Sequence, residues 1–89
     1  MPYIEKEDRE KIDKPLNELI FHLSVHKFPV GMLNYTFTKI LWTYFKRNRC
    51  YNTINDILGV IEGVKAEFLR RRARHYEEEK ILENGDIEV

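Results

Sequence analysis

The sequence predicts an all-α domain of three helices, of which the third is unusually long. Three observations point to that class. Glycine and proline are scarce, at four and three in 89 residues, so few turns interrupt the chain. Apolar residues recur at helical spacing in three successive segments. The last segment, Thr53 to Lys80, runs without a break and carries two packing faces.

The first helix is predicted from one apolar stripe and bounded by two prolines. Because proline disrupts a helix interior, Pro15 predicts a start at Asp13 or Lys14. The alternative is an earlier start near Asp8, with a kink at Pro15. Phe28-Pro29 predicts the end, since the residue before a proline is disfavoured in the helical region. The stripe consists of Ile12, Leu16, Leu19, Ile20 and Leu23.

The second helix is predicted to begin after Pro29-Val30-Gly31 and carries apolar residues on two sides. Its main stripe is Leu33, Phe37, Ile40, Leu41 and Tyr44. On the far side lie Tyr35, Thr38, Trp42 and Phe45. This second stripe is either the half-buried rim of the core or a contact surface for another subunit. The contact surface is an alternative because three helices of this length do not easily cover a stripe on the back of one of them.

The third helix is predicted to start with a capping box, in which Thr53 is the N-cap and Asp56 reaches back to it. One face carries Ile57, Ile61, Val64 and Phe68. The opposite face carries small residues, Gly59, Gly63, Ala66 and Ala73. Small residues let another backbone come close, so both faces invite packing. We expect the second and third helices to form an antiparallel pair, with the first helix across them.

The two ends of the chain are predicted to be appendages of one domain, residues 1–89. The N-terminal arm spans residues 1–11, and residues 77–89 hold the end of the long helix and the tail. Asn84-Gly85 suits a type I′ turn, so a short β-hairpin of Ile81 and Leu82 with Ile87 and Val89 is one possibility. A glycine-capped helix followed by a frayed tail is the alternative.

Composition limits the function classes. With 15 basic and 15 acidic residues the formal charge is zero, which argues mildly against a protein that coats nucleic acid. The single cysteine, Cys50, allows no intrachain disulfide and fits a reducing cytoplasm. The sequence contains no apolar run long enough to span a membrane, and its start is too charged for a signal peptide. We therefore predict a cytoplasmic protein with no membrane partner.

An arginine cluster in the third helix, Arg70 to Arg74, is the strongest local charge signal. Glu67, Glu77 and Glu78 stand at ion-pair spacing from it, which favours a salt-bridge network. The alternative is an anion or nucleic-acid site, strengthened if the basic end of the second helix lies beside the cluster. The candidate contacts are Lys46, Arg47, Arg49, Arg70, Arg71 and Arg74.

The sequence identifies no catalytic, cofactor-binding or metal-binding residues. His22 and His26 have metal-ligand spacing, but no third ligand is near in sequence. The ExxE and ExxD carboxylates of MazG-type nucleotide pyrophosphatases have counterparts here only in the terminal segments, Glu7/Glu10 and Glu83/Asp86. A magnesium-dependent phosphohydrolase acting through Glu62 or Glu67 is therefore a weak alternative.

A set of short motifs runs through nearly the whole chain: Met1-Pro2-Tyr3-Ile4, Leu33-Asn34-Tyr35 with Thr38, Gly59-Val60-Ile61-Glu62 with Lys65, Glu67-Phe68, Arg70-Arg71, Tyr76-Glu77, Lys80 and Asn84-Gly85-Asp86. Together these motifs resemble a family of small proteins of unknown function from bacteriophages, prophages and some prokaryotic genomes. The resemblance implies a small accessory protein and no particular activity.

The leading hypothesis is a non-enzymatic interaction protein that forms a homodimer or higher oligomer and needs no cofactor. Another protein partner is the next option, and nucleic-acid binding is the alternative from a different class. The candidate oligomer interface consists of Tyr35, Trp42, Phe45, Gly59, Gly63 and Ala66.

Overall fold

The structure is a computed structural model that describes residues 3–87. Its elements are α1 (Lys6–Val25), α2 (Val30–Arg47), α3 (Tyr51–Phe68), a π-helical turn (Leu69–Ala73) and α4 (Arg74–Asn84). The last three follow one another directly and form one long C-terminal helix. The described residues include no strand, so the prediction of an all-α chain with three helices and a long last one is confirmed.

The chain divides into two compact units, Tyr3–Ile57 and 58–87, which are described one at a time. The first unit holds α1, α2 and the start of α3; the second holds the rest of the long helix. That the chain is one domain and that α2 pairs antiparallel with α3 both stay predictions.

Helix α1 begins earlier than the position of Pro15 suggests. It starts at Lys6, which agrees with the earlier of the two predicted starts and makes most of the N-terminal arm helical. Pro15 consequently lies in the helix interior, where its ring removes one backbone hydrogen bond. Of the predicted stripe only Leu23 is buried and Leu19 half-buried, while the other three residues are exposed.

The α1–α2 connection ends α1 with a Schellman motif. Lys27 donates its N–H to the Ser24 carbonyl and Phe28 donates to the Leu23 carbonyl, both at 2.9 Å. The residue that reverses the chain in this motif is usually glycine; here Lys27 occupies the left-handed region with φ 63°. Leu23, the buried apolar residue of α1, is the position where this motif places its hydrophobic contact with Phe28.

Helix α2 has no buried residue. Leu33, Thr36, Leu41 and Phe45 are half-buried. Three residues of the predicted main stripe are instead exposed: Phe37, Ile40 and Tyr44. The partly covered side of α2 is therefore rotated from the predicted main stripe, because it includes Thr36 and, from the second stripe, Phe45.

The start of α3 corrects the predicted capping box. The helix begins at Tyr51, so Thr53 lies within its first turn and is 4% exposed. Cys50 takes the position before the helix, where its carbonyl accepts a hydrogen bond from the Ile54 N–H at 3.2 Å. The polar group that faces Cys50 is the Thr53 hydroxyl, with Cys50 Sγ and Thr53 Oγ1 3.3 Å apart.

At the end of the long helix, the described residues form a glycine-capped helix and no β-hairpin. Helix α4 includes both Ile81 and Leu82, so they form no strand, and Val89 lies outside the described residues. The helix stops at Gly85, which has φ 84° and donates its N–H to the Ile81 carbonyl at 2.8 Å. Glycine adopts a positive φ without a steric clash from a Cβ, which suits it to this position.

The π-helical turn at Leu69–Ala73 accommodates one residue more than an α-helical turn. The eight steps from Phe68 to Tyr76 therefore turn the helix through about 700°, close to two full turns. Tyr76 consequently continues the side of the helix that carries Ile61, Val64 and Phe68. In an uninterrupted α-helix Tyr76 would lie about 80° away from that side.

Candidate interaction surface

Helix α2 presents a line of alternating aromatic and basic side chains. Tyr35, Lys39, Trp42 and Lys46 are spaced four, three and four residues apart, so they share one side of the helix. We call these four residues the aromatic–lysine face. Tyr35 is 65% exposed and Trp42 is 70% exposed. Asn34, Thr38 and Thr43 complete the lining of a shallow groove along this face.

Local contacts hold parts of this face in place. The Lys39 ammonium lies 5.8 Å from the centre of the Tyr35 ring, within the range of a cation–π interaction. The Thr43 hydroxyl donates to the Lys39 carbonyl at 2.8 Å, so its proton is not available for a hydrogen bond to a ligand. The surface offered to a partner is thus mainly two aromatic rings and two ammonium groups.

The segment around this face is strongly basic. Residues 27–55 contain five basic side chains and no aspartate or glutamate: Lys27, Lys39, Lys46, Arg47 and Arg49. The zero net charge of the whole chain conceals this local excess. A positive, aromatic surface attracts acidic or aromatic partners.

The end of the chain has the opposite character. Residues 75–87 contain five carboxylates and one lysine. Two of the carboxylates have partners on their own helix: Glu79 lies 3.3 Å from the His75 imidazole, and Glu83 lies 3.1 Å from the Lys80 ammonium. Glu77, Glu78, Ile81 and Leu82 lie together on another side of α4. We call these four residues the acidic face.

The arginine cluster coincides with the π-helical turn, and two of its arginines form ion pairs with Glu67. Arg70 Nη2 lies 3.0 and 3.1 Å from the two carboxylate oxygens of Glu67, and Arg71 Nε lies 3.6 Å from one of them. Glu67 is half-buried, which strengthens these ion pairs relative to fully exposed ones. Two of the candidate anion contacts thus already face a carboxylate, as the salt-bridge reading expects.

The Cys50 thiol has an altered titration. The hydrogen bond from the Thr53 hydroxyl is the largest cause that lowers the pKa of Cys50, since it stabilises the thiolate. The backbone N–H groups of Thr53 and Asn52 act in the same direction, against desolvation and the charge of Asp56. Arg47 and Arg49, although close to Cys50 in sequence, are not among the causes of this pKa shift.

Neither a metal-binding cluster nor a membrane-spanning helix is found in the described part of the chain. In residues 3–87 no group of three or more His, Cys, Asp or Glu side chains is placed to hold a metal ion. His22 is exposed, and a T-shaped contact of 5.8 Å joins its ring to Phe21. Across the same residues, none of the helices combines the length and the apolarity needed to cross a bilayer.

A family model with the description "Domain of unknown function (DUF6899)" matches residues 1–87. The chain belongs to the DUF6899 family. No curated protein and no solved structure matches it. The family membership agrees with the resemblance to proteins of unknown function, and no activity follows from it.

The structure places the predicted interface residues of this DUF6899 protein in different surroundings. Phe45 is half-buried, with the Arg49 guanidinium 6.0 Å from its ring centre, whereas Tyr35 and Trp42 are exposed. On the long helix Gly59 and Ala66 are exposed and Gly63 is half-buried. Apart from the adjoining backbone of its own helix, a Cβ added at either glycine would have no atom within 4 Å among the described residues, so space for a partner is open there.

Sequence reasoning missed Lys39 and the acidic face. Both could have been found by counting charges segment by segment. Residues 27–55 lack acidic side chains altogether, and residues 75–87 contain five carboxylates and one lysine. The remaining candidate contacts are exposed, on helices at Lys46, Arg47 and Arg74 and in the α2–α3 connection at Arg49. Whether any of them contacts an anion stays a prediction.

Proposed function

We propose that this protein is a non-enzymatic accessory protein that acts as a homo-oligomer, with the dimer as its first form. The observation that carries the proposal is the exposure of Tyr35 and Trp42 on a helix with no buried residue. Large aromatic side chains are enriched in protein interfaces and are seldom left in contiguous exposed groups. A second copy of the chain is the simplest partner that is always present to cover them.

The exposure of the other helices supports the same proposal. Leu23 is the one buried apolar residue in the described chain, while Val64 and Phe68 of the long helix are 57% and 60% exposed. Burying a large apolar side chain stabilises a protein by about 1.5–3 kcal/mol, so much stabilisation is still available to an assembly. The small residues Gly59, Gly63 and Ala66 leave room for it on the long helix.

A test uses the chain's single tryptophan as the reporter. In size-exclusion light scattering at tens of micromolar, we expect at least twice the 10.8 kDa chain mass. Trp42 fluorescence should shift to shorter wavelength as concentration rises, because the indole leaves water. A monomer with concentration-independent fluorescence would overturn the proposal.

A matched pair of variants locates the surface. Tyr35→Ser should weaken association, because Tyr35 belongs to the aromatic–lysine face. Tyr51→Ser removes a tyrosine that is even more exposed, at 84%, at the start of α3, and should leave the mass unchanged. Equal effects of the two variants would show that general surface hydrophobicity, rather than this face, drives association.

A second candidate function is nucleic-acid binding, favoured by the absence of acidic residues from 27–55. Lys46, Arg47 and Arg49 would supply phosphate contacts, and the Arg70–Arg74 cluster of the long helix is a separate candidate for the same role. Such binding must weaken as salt is added, because phosphate neutralisation releases counterions. Gel shifts that do not change with salt, or no shift at all, would reject it.

We infer a cytoplasmic location for this accessory role. The inference is supported by the single thiol, Cys50, which has no partner for an intrachain disulfide. The resemblance to phage and prophage proteins supports a role in an infected or prophage-carrying cell. Fractionation of cells expressing the tagged chain tests the location, and recovery with the membranes would contradict it.

A further inference from the structure

We propose that the acidic face of α4 in one copy docks on the aromatic–lysine face of α2 in a second copy, and that the second copy returns the same contact. This docking proposal rests on the proposed function, in which the protein acts as a homo-oligomer, and it names the surfaces that would join the subunits. Two identical contacts related by a two-fold axis close the assembly as a dimer.

The first argument is that the two lysines of α2 have no carboxylate partner. Within the described residues no ion pair engages Lys39 or Lys46. Their own segment cannot provide one, because no acidic residue lies between positions 27 and 55. An acidic partner must therefore come from another part of the chain or from another molecule.

The second argument is that α4 carries the complementary pair. Glu77 and Glu78 are exposed and, in the described chain, take part in no ion pair. Next to them on the same side lie Ile81, 42% exposed, and Leu82, 87% exposed. Two of the three basic groups of α4, His75 and Lys80, are paired with Glu79 and Glu83. The third, Arg74, forms no ion pair with Glu77 or Glu78 within the described residues.

The two faces match in composition and size. Each presents two charges of one sign and two apolar side chains, aromatic on α2 and aliphatic on α4. The aromatic–lysine face extends about 16 Å along its helix, and the acidic face about 8 Å, so a short helix fits along the longer one. Opposite charges steer the two helices together, and the apolar side chains bury area once they meet.

The occupant favoured by these facts is a second copy rather than nucleic acid. Nucleic acid would satisfy the lysines of α2 but would leave Leu82 and the two glutamates of α4 unexplained. A second copy satisfies both faces at once. Each chain brings one acidic and one basic face, so the contact is self-complementary.

The test is a charge-reversal experiment on the full chain. In one variant, Lys39→Glu with Lys46→Glu makes both faces acidic. In the other, Glu77→Lys with Glu78→Lys makes both faces basic. The dimer Kd of each variant should rise by about tenfold or more, because like charges meet at both contacts. Each variant should then be monomeric at a concentration at which the unaltered chain is a dimer. All four positions are exposed, and circular dichroism should show unchanged helix content.

Mixing the two variants is the decisive step. In the mixed pair each acidic α2 meets a basic α4, and each basic α2 meets an acidic α4. We therefore expect an equimolar mixture to recover the dimer mass in light scattering, although neither variant dimerises alone. A mixture that stays monomeric would overturn the docking proposal.

The matched control is Lys6→Glu with Lys14→Glu, which changes the net charge by the same amount on exposed positions of α1. It should dimerise like the unaltered chain. If both face variants also dimerise normally, the docking proposal fails while the homo-oligomeric function stands. If the unaltered chain is a monomer, both fail. If the lysine variant changes only the binding of a labelled single-stranded oligonucleotide, the α2 face serves nucleic acid and the docking proposal fails.

Discussion

At the scale of single residues, the Cys50–Thr53 contact leads to a prediction about titration. Replacing Thr53 by Val keeps the shape of the side chain but removes the hydroxyl that stabilises the thiolate. The pKa of Cys50 should rise towards its ordinary value, because the largest cause of its lowering is lost. The pH dependence of alkylation by iodoacetamide measures this shift.

The same contact gives stability a defined pH dependence. A thiol whose pKa is lower in the folded chain favours folding when it is deprotonated. This contribution is fully present above the usual thiol pKa and is lost as the pH falls through the lowered one. Thr43→Val is the matched control, since among the described residues the Thr43 hydroxyl bonds the Lys39 carbonyl and not Cys50. A shift of equal size in that control would show that Thr53 is not the cause.

At the scale of elements, the end of α1 contains an avoidable strain. Lys27 adopts φ 63°, a region that costs a non-glycine residue about 1 kcal/mol, and glycine adopts it freely. Lys27→Gly should therefore raise the free energy of unfolding by up to about 1 kcal/mol in urea denaturation followed by circular dichroism. Lys14→Gly, inside α1, should lower it by about the same amount. Destabilisation by both would show that Lys27 makes contacts that outweigh its strain.

The helices themselves could be predicted from sequence, but the sides they cover could not. The spacing of apolar residues and the positions of helix-breaking residues located all three helices. Phe28-Pro29 and the absence of breaks after Thr53 are local signals of this kind. Phe37 and Ile40 show the limit. Helical spacing groups apolar residues into stripes, yet only tertiary contacts decide which stripe is covered, and in α2 they favour Thr36 and Phe45.

The ends of the helices were missed for a related reason. Thr53 has the sequence features of an N-cap, but Cys50 occupies the position before the helix, and cysteine is not a recognised capping residue. The π-helical turn has no sequence signature, because its five residues, Leu69–Ala73, would suit an ordinary α-helix equally well. Such features depend on contacts that periodicity does not report.

At the scale of the whole molecule, folding and assembly should be coupled. Few side chains of the described residues are buried, so the proposed association should supply a large share of the stability. The melting temperature should rise with protein concentration over a range of about a hundredfold, as mass action requires. Circular dichroism melts measure it, and a concentration-independent midpoint would contradict the coupling.

The π-helical turn has a consequence for how this protein can vary among its relatives. A turn that already holds a surplus residue can lose it without breaking the helix, whereas a loss elsewhere would shift every later side chain out of line. Natural length variants of the long helix should therefore gather between positions 69 and 73. Wherever the shorter form occurs, the positions that carry Tyr76 and the two glutamates after it should move by one residue, so that the same side chains still face the same way.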